Sequence, residues 1–157
     1  MRGRAQPPVK SRFFKTQVCL PRPLDEVFGF FADARNLQHL TPRWLKFSVL
    51  TPGEIFMRPG ALINYQIRLH GIPIRWQTEI TVWDPPHRFV DEQRRGPYRL
   101  WKHEHLFAAR DKSTEIVDSL TYVPRGGLLV DWLFVRRDVE KIFRFRRERL
   151  VSKFGGN

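Results

Sequence analysis

Residues 98–127 read YRLWKHEHLFAARDKSTEIVDSLTYVPRGG and residues 128–150 read LLVDWLFVRRDVEKIFRFRRERL. Two periodicities meet at this junction. Tyr98–Ala108 and Thr114–Val123 alternate in character from one residue to the next, as half-buried strands do. The polar turn Arg110-Asp111-Lys112-Ser113 joins them closely enough to make them antiparallel neighbours. After Pro124 and Gly126-Gly127 the period changes from two to about 3.6. Trp132, Val135, Val139, Ile142, Phe143 and Leu150 then fall on one stripe, which predicts a long C-terminal helix. At 1.5 Å per residue, roughly 25 residues span nearly 40 Å, enough to cross a whole sheet.

Working upstream, the same strand pattern predicts Lys46–Leu50, Ala61–Leu69, Ile74–Trp83 and Arg88–Gln93, broken by Pro- and Gly-rich turns. A first strand is predicted over Arg12–Leu20, with Phe14, Thr16, Val18 and Leu20 in one phase. Pro21 and Pro23 stop it. Leu24, Val27, Phe28 and Phe31 then follow at helical spacing, with Asp25 and Glu26 near the positive end of the helix dipole. A second short helix is predicted with Asn36 as its N-cap, carrying Leu37 and Leu40 inward and ending at Thr41-Pro42. Strand, two short helices, six strands and a terminal helix make an α+β order of about seven antiparallel strands. It is unlike the βαβ alternation of a doubly wound sheet.

A chain of 157 residues with 41% apolar and 28% charged residues fits one globular domain. Residues 1–11 read as a flexible basic lead-in and 12–157 as the domain. One cysteine, Cys19, excludes an internal disulfide and suits a reducing compartment. No apolar run reaches the roughly 20 residues of a membrane span. Met1–Arg12 lacks the apolar core of a secretory signal, so a cytoplasmic location is expected. The net charge of +12 is concentrated in residues 1–15 and 136–153, at +5 each. Basic ends on a near-neutral body suit a transient contact with anionic membrane. No motif points to specific nucleic-acid binding.

Alternation also sorts strand residues into faces. Lys102 and Glu104 mark one phase of Tyr98–Ala108 as outer, so Trp101, His103, His105 and Phe107 are expected inward. The same argument turns Asp91 and Gln93, Asp118 and Tyr122, and Trp76, Thr78 and Ile80 inward. Trp44, Phe47, Phe56, Met57 and Tyr65 are candidates for a cavity mouth or for core. Three polar types then meet among rings: imidazole, carboxylate and phenol. Pairing of His with Asp inside the sheet satisfies them structurally. The same groups could instead orient a small ligand. His103 or His105 beside Asp91 or Asp118 could transfer protons, with Tyr65 or Tyr122 donating to a developing enolate oxygen. His103-x-His105 with Asp118 as third ligand could hold a metal. Arg146 interrupts the apolar stripe of the last helix, as a snorkelling or salt-bridged edge residue or as an anchor for a ligand carboxylate.

Pro23-Leu24-Asp25-Glu26-Val27-Phe28, Ala32-Asp33-Ala34-Arg35-Asn36-Leu37 and Thr41-Pro42 resemble the first helices of the SRPBCC superfamily. This superfamily groups START lipid-transfer domains, pollen-allergen-like binders and polyketide cyclase/dehydrase-like proteins. Gly96-Pro97-Tyr98, Trp101-x-His103-x-His105-x-Phe107, Asp118 and Tyr122-x-Pro124 resemble an uncharacterised bacterial ligand-binding branch of it. The resemblance, over about residues 12–154, implies a helix-grip fold: a curved antiparallel sheet wrapped on a C-terminal helix to enclose a cavity. It implies a hydrophobic or amphipathic ligand, such as a lipid, quinone or polyketide-like compound. The residues expected around that ligand are Trp44, Tyr65, Trp76, Asp91, Gln93, Trp101, His103, His105, Phe107, Asp118 and Tyr122. A cyclase/dehydratase-type enzyme using His103, His105 and Asp118, and an accessory protein-interaction domain, are the alternatives. No cofactor and no metal are assigned.

Overall fold

The computed structural model describes residues 10–156. The lead-in expected over residues 1–11 therefore lies, for residues 1–9, outside the described residues. The strands are β1 (Arg12–Leu20), β2 (Ser48–Val49), β3 (Leu62–Leu69), β4 (Ile72–Asp84), β5 (Arg88–Arg95), β6 (Tyr98–Arg110) and β7 (Ser113–Pro124). They form one antiparallel sheet in the order β1-β7-β6-β5-β4-β3-β2. Strands β2 to β7 are a meander, each pairing with the next in sequence. β1 closes it by pairing with β7, in a register that sets Val18 opposite Ile116. Helix α1 (Leu24–Ala32) and two 3-10 segments, Ala34–Leu40 and Arg43–Leu45, carry the chain from the β1 edge to the β2 edge. The C-terminal helix comprises α2 (Gly127–Val130), a π-turn (Asp131–Val135) and α3 (Arg136–Phe154).

Register shifts curve the sheet, lying in β4 against β5 at Gln77/Thr78 and Ile80/Val82, and in β6 against β7 at Tyr98/Leu100. Helix α3 packs along the sheet's inner face, its Phe143 ring 4.9 Å from Phe14 and 5.2 Å from His103. Burying this face takes apolar surface out of water at about 25 cal/mol per Å². The core falls into two apolar clusters. Val27, Phe28, Phe31, Phe89, Phe107, Ile116 and Leu150 belong to one. Tyr65, Trp76, Ile80, Leu120, Val139 and Phe143 belong to the other.

Four sequence expectations change. The strand expected over Lys46–Leu50 shrinks to Ser48–Val49, because Lys46 takes a left-handed conformation and its N–H closes a turn onto Arg43. The second helix is a 3-10 segment capped by Asp33, whose Oδ1 accepts from the Arg35 N–H at 2.9 Å. Asn36, expected as the cap, instead donates its side-chain amide to the Phe30 carbonyl. Trp132, expected on the inner stripe, is 67% exposed. The π-turn adds a residue to the turn and rotates the stripe. Asp131 goes inward instead, ion-paired to Arg12 at 2.8 Å. Arg146 is salt-bridged, with Nε 3.6 Å from Asp118 Oδ2, but it is buried rather than at an edge.

Candidate functional site

On β6, β7 and α3 buried polar or charged positions lie between a residue of the first apolar cluster and one of the second. On β7, Asp118 lies between Ile116 and Leu120; on β6, His103 and His105 lie between Phe107 and Trp101; on α3, Arg146 lies between Leu150 and Phe143. Asp91 follows Phe89 on β5. Strand pairing brings these positions together, setting Asp91 opposite His103 and His105 opposite Asp118. The side chains then reach across the diagonals. His103 Nε2 is 3.0 Å from Asp118 Oδ1, and His105 Nε2 is 2.9 Å from Asp91 Oδ2. His105 Nδ1 is 2.8 Å from Asp118 Oδ1, and the two imidazoles overlap with centroids 3.8 Å apart. Arg146 completes the cluster from the helix, its Nε 3.6 Å from Asp118 Oδ2 and its Nη2 3.2 Å from His105 Nδ1.

Opposing forces act on these groups. Burial alone would raise Asp118. The Arg146 charge and the hydrogen bonds of His103 and His105 outweigh it and hold the carboxyl well below the usual carboxylate range. Burial also opposes Asp91, and the hydrogen bond of His105 with the charges of His103, His105 and Arg146 prevails there. His103 moves down from its ordinary value because burial penalises an imidazolium and His105 adds repulsion; Asp118 and Asp91 pull only partly the other way. Neutral His103 presents a donor at Nε2 to Asp118. Its Nδ1 has no hydrogen-bond partner among the described residues, with the nearest carboxylate oxygen, Asp91 Oδ2, at 3.7 Å.

The cluster forms the polar end of a cavity of about 170 Å³ between the sheet, α3 and the Ala34–Leu40 segment. Its remaining wall is mostly apolar and aromatic, with Ile63, Ile67, Trp76, Ile80, Leu45 and Met57 among the lining residues. Apolar cavities of about 150 Å³ accept benzene-sized guests. Two lining donors have no hydrogen-bond partner among the described residues: Trp76 Nε1, and Arg146 Nε, which faces Asp118 Oδ2 at 3.6 Å. Tyr65 hydrogen-bonds Thr78 at 3.2 Å, and burial raises its phenol well above the ordinary value.

Of the residues expected around a ligand, Tyr65, Trp76, Asp91, Trp101, His103 and His105 line the cavity. Trp44 does not, being 46% exposed on the short Arg43–Leu45 segment. Gln93 spends its amide on the Tyr98 backbone, closing the β5–β6 turn. Phe107 packs behind the cavity against Phe28 and Phe31. Asp118 lies behind the imidazoles, and Tyr122 is buried near Asp131 away from the space. Phe47 and Met57 line the cavity, whereas Phe56 is exposed. The carboxylate that shares one site with both histidines is Asp91, one donor atom from each residue lying within 4.8 Å of the others. Asp138, which also lines the cavity and lies 2.8 Å from His70, was missed. Its signal is the one Arg146 carries too: a charged residue on an otherwise apolar helical stripe.

A curved seven-stranded antiparallel sheet gripping a C-terminal helix around a cavity is the helix-grip fold. The chain belongs to the family described as a domain of unknown function (DUF8410), which matches residues 48–154. No curated protein matches the sequence. Among solved structures, the ZhuI aromatase/cyclase from Streptomyces sp. R1128 is similar at 17% identity and a TM-score of 0.70, over 92% of this chain and 93% of that one. Protein CV1439 from Chromobacterium violaceum is similar at 12% identity and a TM-score of 0.72, over 92% and 98%. Major latex-like protein 151 from Panax ginseng is similar at 10% identity and a TM-score of 0.65, over 92% and 97%. These are likenesses of fold.

Proposed function

We propose that this protein binds a hydrophobic or amphipathic small molecule, with the apolar body against Trp76, Ile63 and Ile80 and a polar group toward Asp91, His103 and Arg146. The observation that carries this reading is a buried donor without a hydrogen-bond partner among the described residues, Trp76 Nε1, in the wall of an apolar cavity. Buried donors are ordinarily satisfied, and a ligand acceptor satisfies this one. A compact ring bearing an oxygen suits the volume better than an extended acyl chain. Native mass spectrometry of freshly purified protein, followed by denaturing extraction, tests this. One ring-bearing passenger per chain is expected. A protein that stays empty after exposure to quinones and hydroxylated aromatics, with an Ile67→Phe variant that behaves identically in every assay, overturns it.

One observation favours acid–base chemistry as a second reading. His103 is neutral, braced by Asp118 at Nε2, and lines the cavity with Nδ1 unpaired. That is the posture of a general base. Tyr122 does not line the cavity, whereas the phenols of Tyr65 and Tyr98 do. A His103→Gln variant that still binds the extracted ligand but no longer converts it would support this reading.

Contact with an anionic membrane is a further part of this proposal, supported by exposed apolar side chains beside arginines. Leu129, Trp132 and Phe134 are exposed beside Arg136 and Arg137. Apolar side chains flanked by arginine are the composition of an interfacial anchor.

A further inference from the structure

We propose that Asp91, His103 and His105 bind one divalent first-row transition-metal ion, zinc or ferrous iron by donor type, at the polar end of the cavity. Asp91 Oδ2 lies 2.9 Å from His105 Nε2 and 3.7 Å from His103 Nδ1. An ion bonded at about 2.0–2.1 Å keeps neighbouring donors roughly 2.9–3.4 Å apart. The two Asp91–histidine spacings bracket that range, and the three donor atoms all lie within 4.8 Å of one another. Two imidazoles and one carboxylate, with further positions open toward a cavity, are a donor set for such ions.

The backs of both rings support this assignment. His103 Nε2 and His105 Nδ1 converge on one oxygen, Asp118 Oδ1, at 3.0 and 2.8 Å. A carboxylate behind each ligating imidazole orients the ring and fixes which nitrogen is left for the metal. Asp118 itself cannot be the ligand that the spacing of His103-x-His105 suggested. The Arg146 guanidinium already stands on its side, 3.6 Å away, and repels a second cation. Asp91 lies on the cavity side, and among the described residues no Lys or Arg forms an ion pair with it.

The full chain, stripped with a chelator, is titrated with cobalt(II) alone and then with zinc(II). The expected result is one equivalent of cobalt per chain with visible d–d absorption, displaced by zinc, and a zinc-dependent rise in melting temperature. Asp91→Asn and His103→Gln abolish the stoichiometric binding, while His39→Gln and His87→Gln leave it intact. Asp118→Asn weakens affinity about 10–100-fold at unchanged stoichiometry. In case a variant fails to fold, zinc added to the wild-type protein is followed by NMR of its five histidine rings. Two ring systems shift and three do not. Failure to saturate at one equivalent, binding that survives Asp91→Asn and His103→Gln, or shifts confined to the other three rings overturns the site.

Discussion

The Nε atom of Arg146 lies 3.6 Å from Oδ2 of Asp118, tying the C-terminal helix to the middle of the sheet through two buried charges. Removing one member of such a pair leaves the other charged and unpartnered in a low-dielectric interior, which costs about 3–5 kcal/mol. Arg146→Leu and Asp118→Asn should each lower stability by about 3 kcal/mol in urea unfolding. The double variant should lose clearly less than the sum. Strict additivity would show that the two charges do not depend on each other.

Trp76 Nε1 is a donor without a hydrogen-bond partner among the described residues, in a ring packed 5.2 Å from Trp101 and 5.7 Å from Tyr65. Trp76→Phe keeps an aromatic ring and deletes the donor. It should weaken binding of an oxygen-bearing aromatic by about 1 kcal/mol, roughly fivefold, and leave a hydrocarbon of the same shape unaffected. Equal weakening of both ligands in a calorimetric titration would assign Trp76 a packing role alone.

All three tyrosines of the chain, Tyr65, Tyr98 and Tyr122, are buried. Burial raises each above the ordinary value of 10.0, Tyr122 to about 12. A phenol raised on folding contributes stability that is fully present below its unfolded value and is lost as pH rises through the folded one. The protein should therefore lose stability from pH 10 upward. Tyrosinate absorbance should appear together with the loss of the circular dichroism signal, in one transition. Titration of a tyrosine near pH 10 with the fold intact would contradict its burial.

Exposed Leu129, Trp132 and Phe134 flank Arg136 and Arg137 on the first turns of the C-terminal helix. Vesicles containing anionic lipid should retain the protein in co-sedimentation, with retention falling as salt screens the arginines. Vesicles of neutral lipid should not retain it. A Trp132→Ser/Phe134→Ser variant should bind several-fold less at low salt. Unchanged binding would leave the basic ends as the whole attraction.

The elements and their order were legible because alternation and helical spacing are local properties. The inward set on β6, His103, His105 and Phe107, followed from Lys102 and Glu104 alone, since a strand has only two faces. The cap at Asp33 and the exposure of Trp132 were not legible. One depends on which of several polar residues the backbone bends toward, and the other on a π-turn that shifts helical phase by one residue.

By itself, the sequence determined which residues turn inward and that carboxylates, imidazoles and rings would share one concave face. Pairing belonged to the tertiary structure. Strand register set Asp91 against His103 and Asp118 against His105, and the side chains crossed those pairs diagonally. Helix packing then brought Arg146 down onto Asp118, so that one carboxylate lies behind the rings ion-paired to arginine and the other lines the cavity with no Lys or Arg ion pair among the described residues. That asymmetry arises from contacts between residues 12 to 41 positions apart, and spacing along the chain carries no information about them.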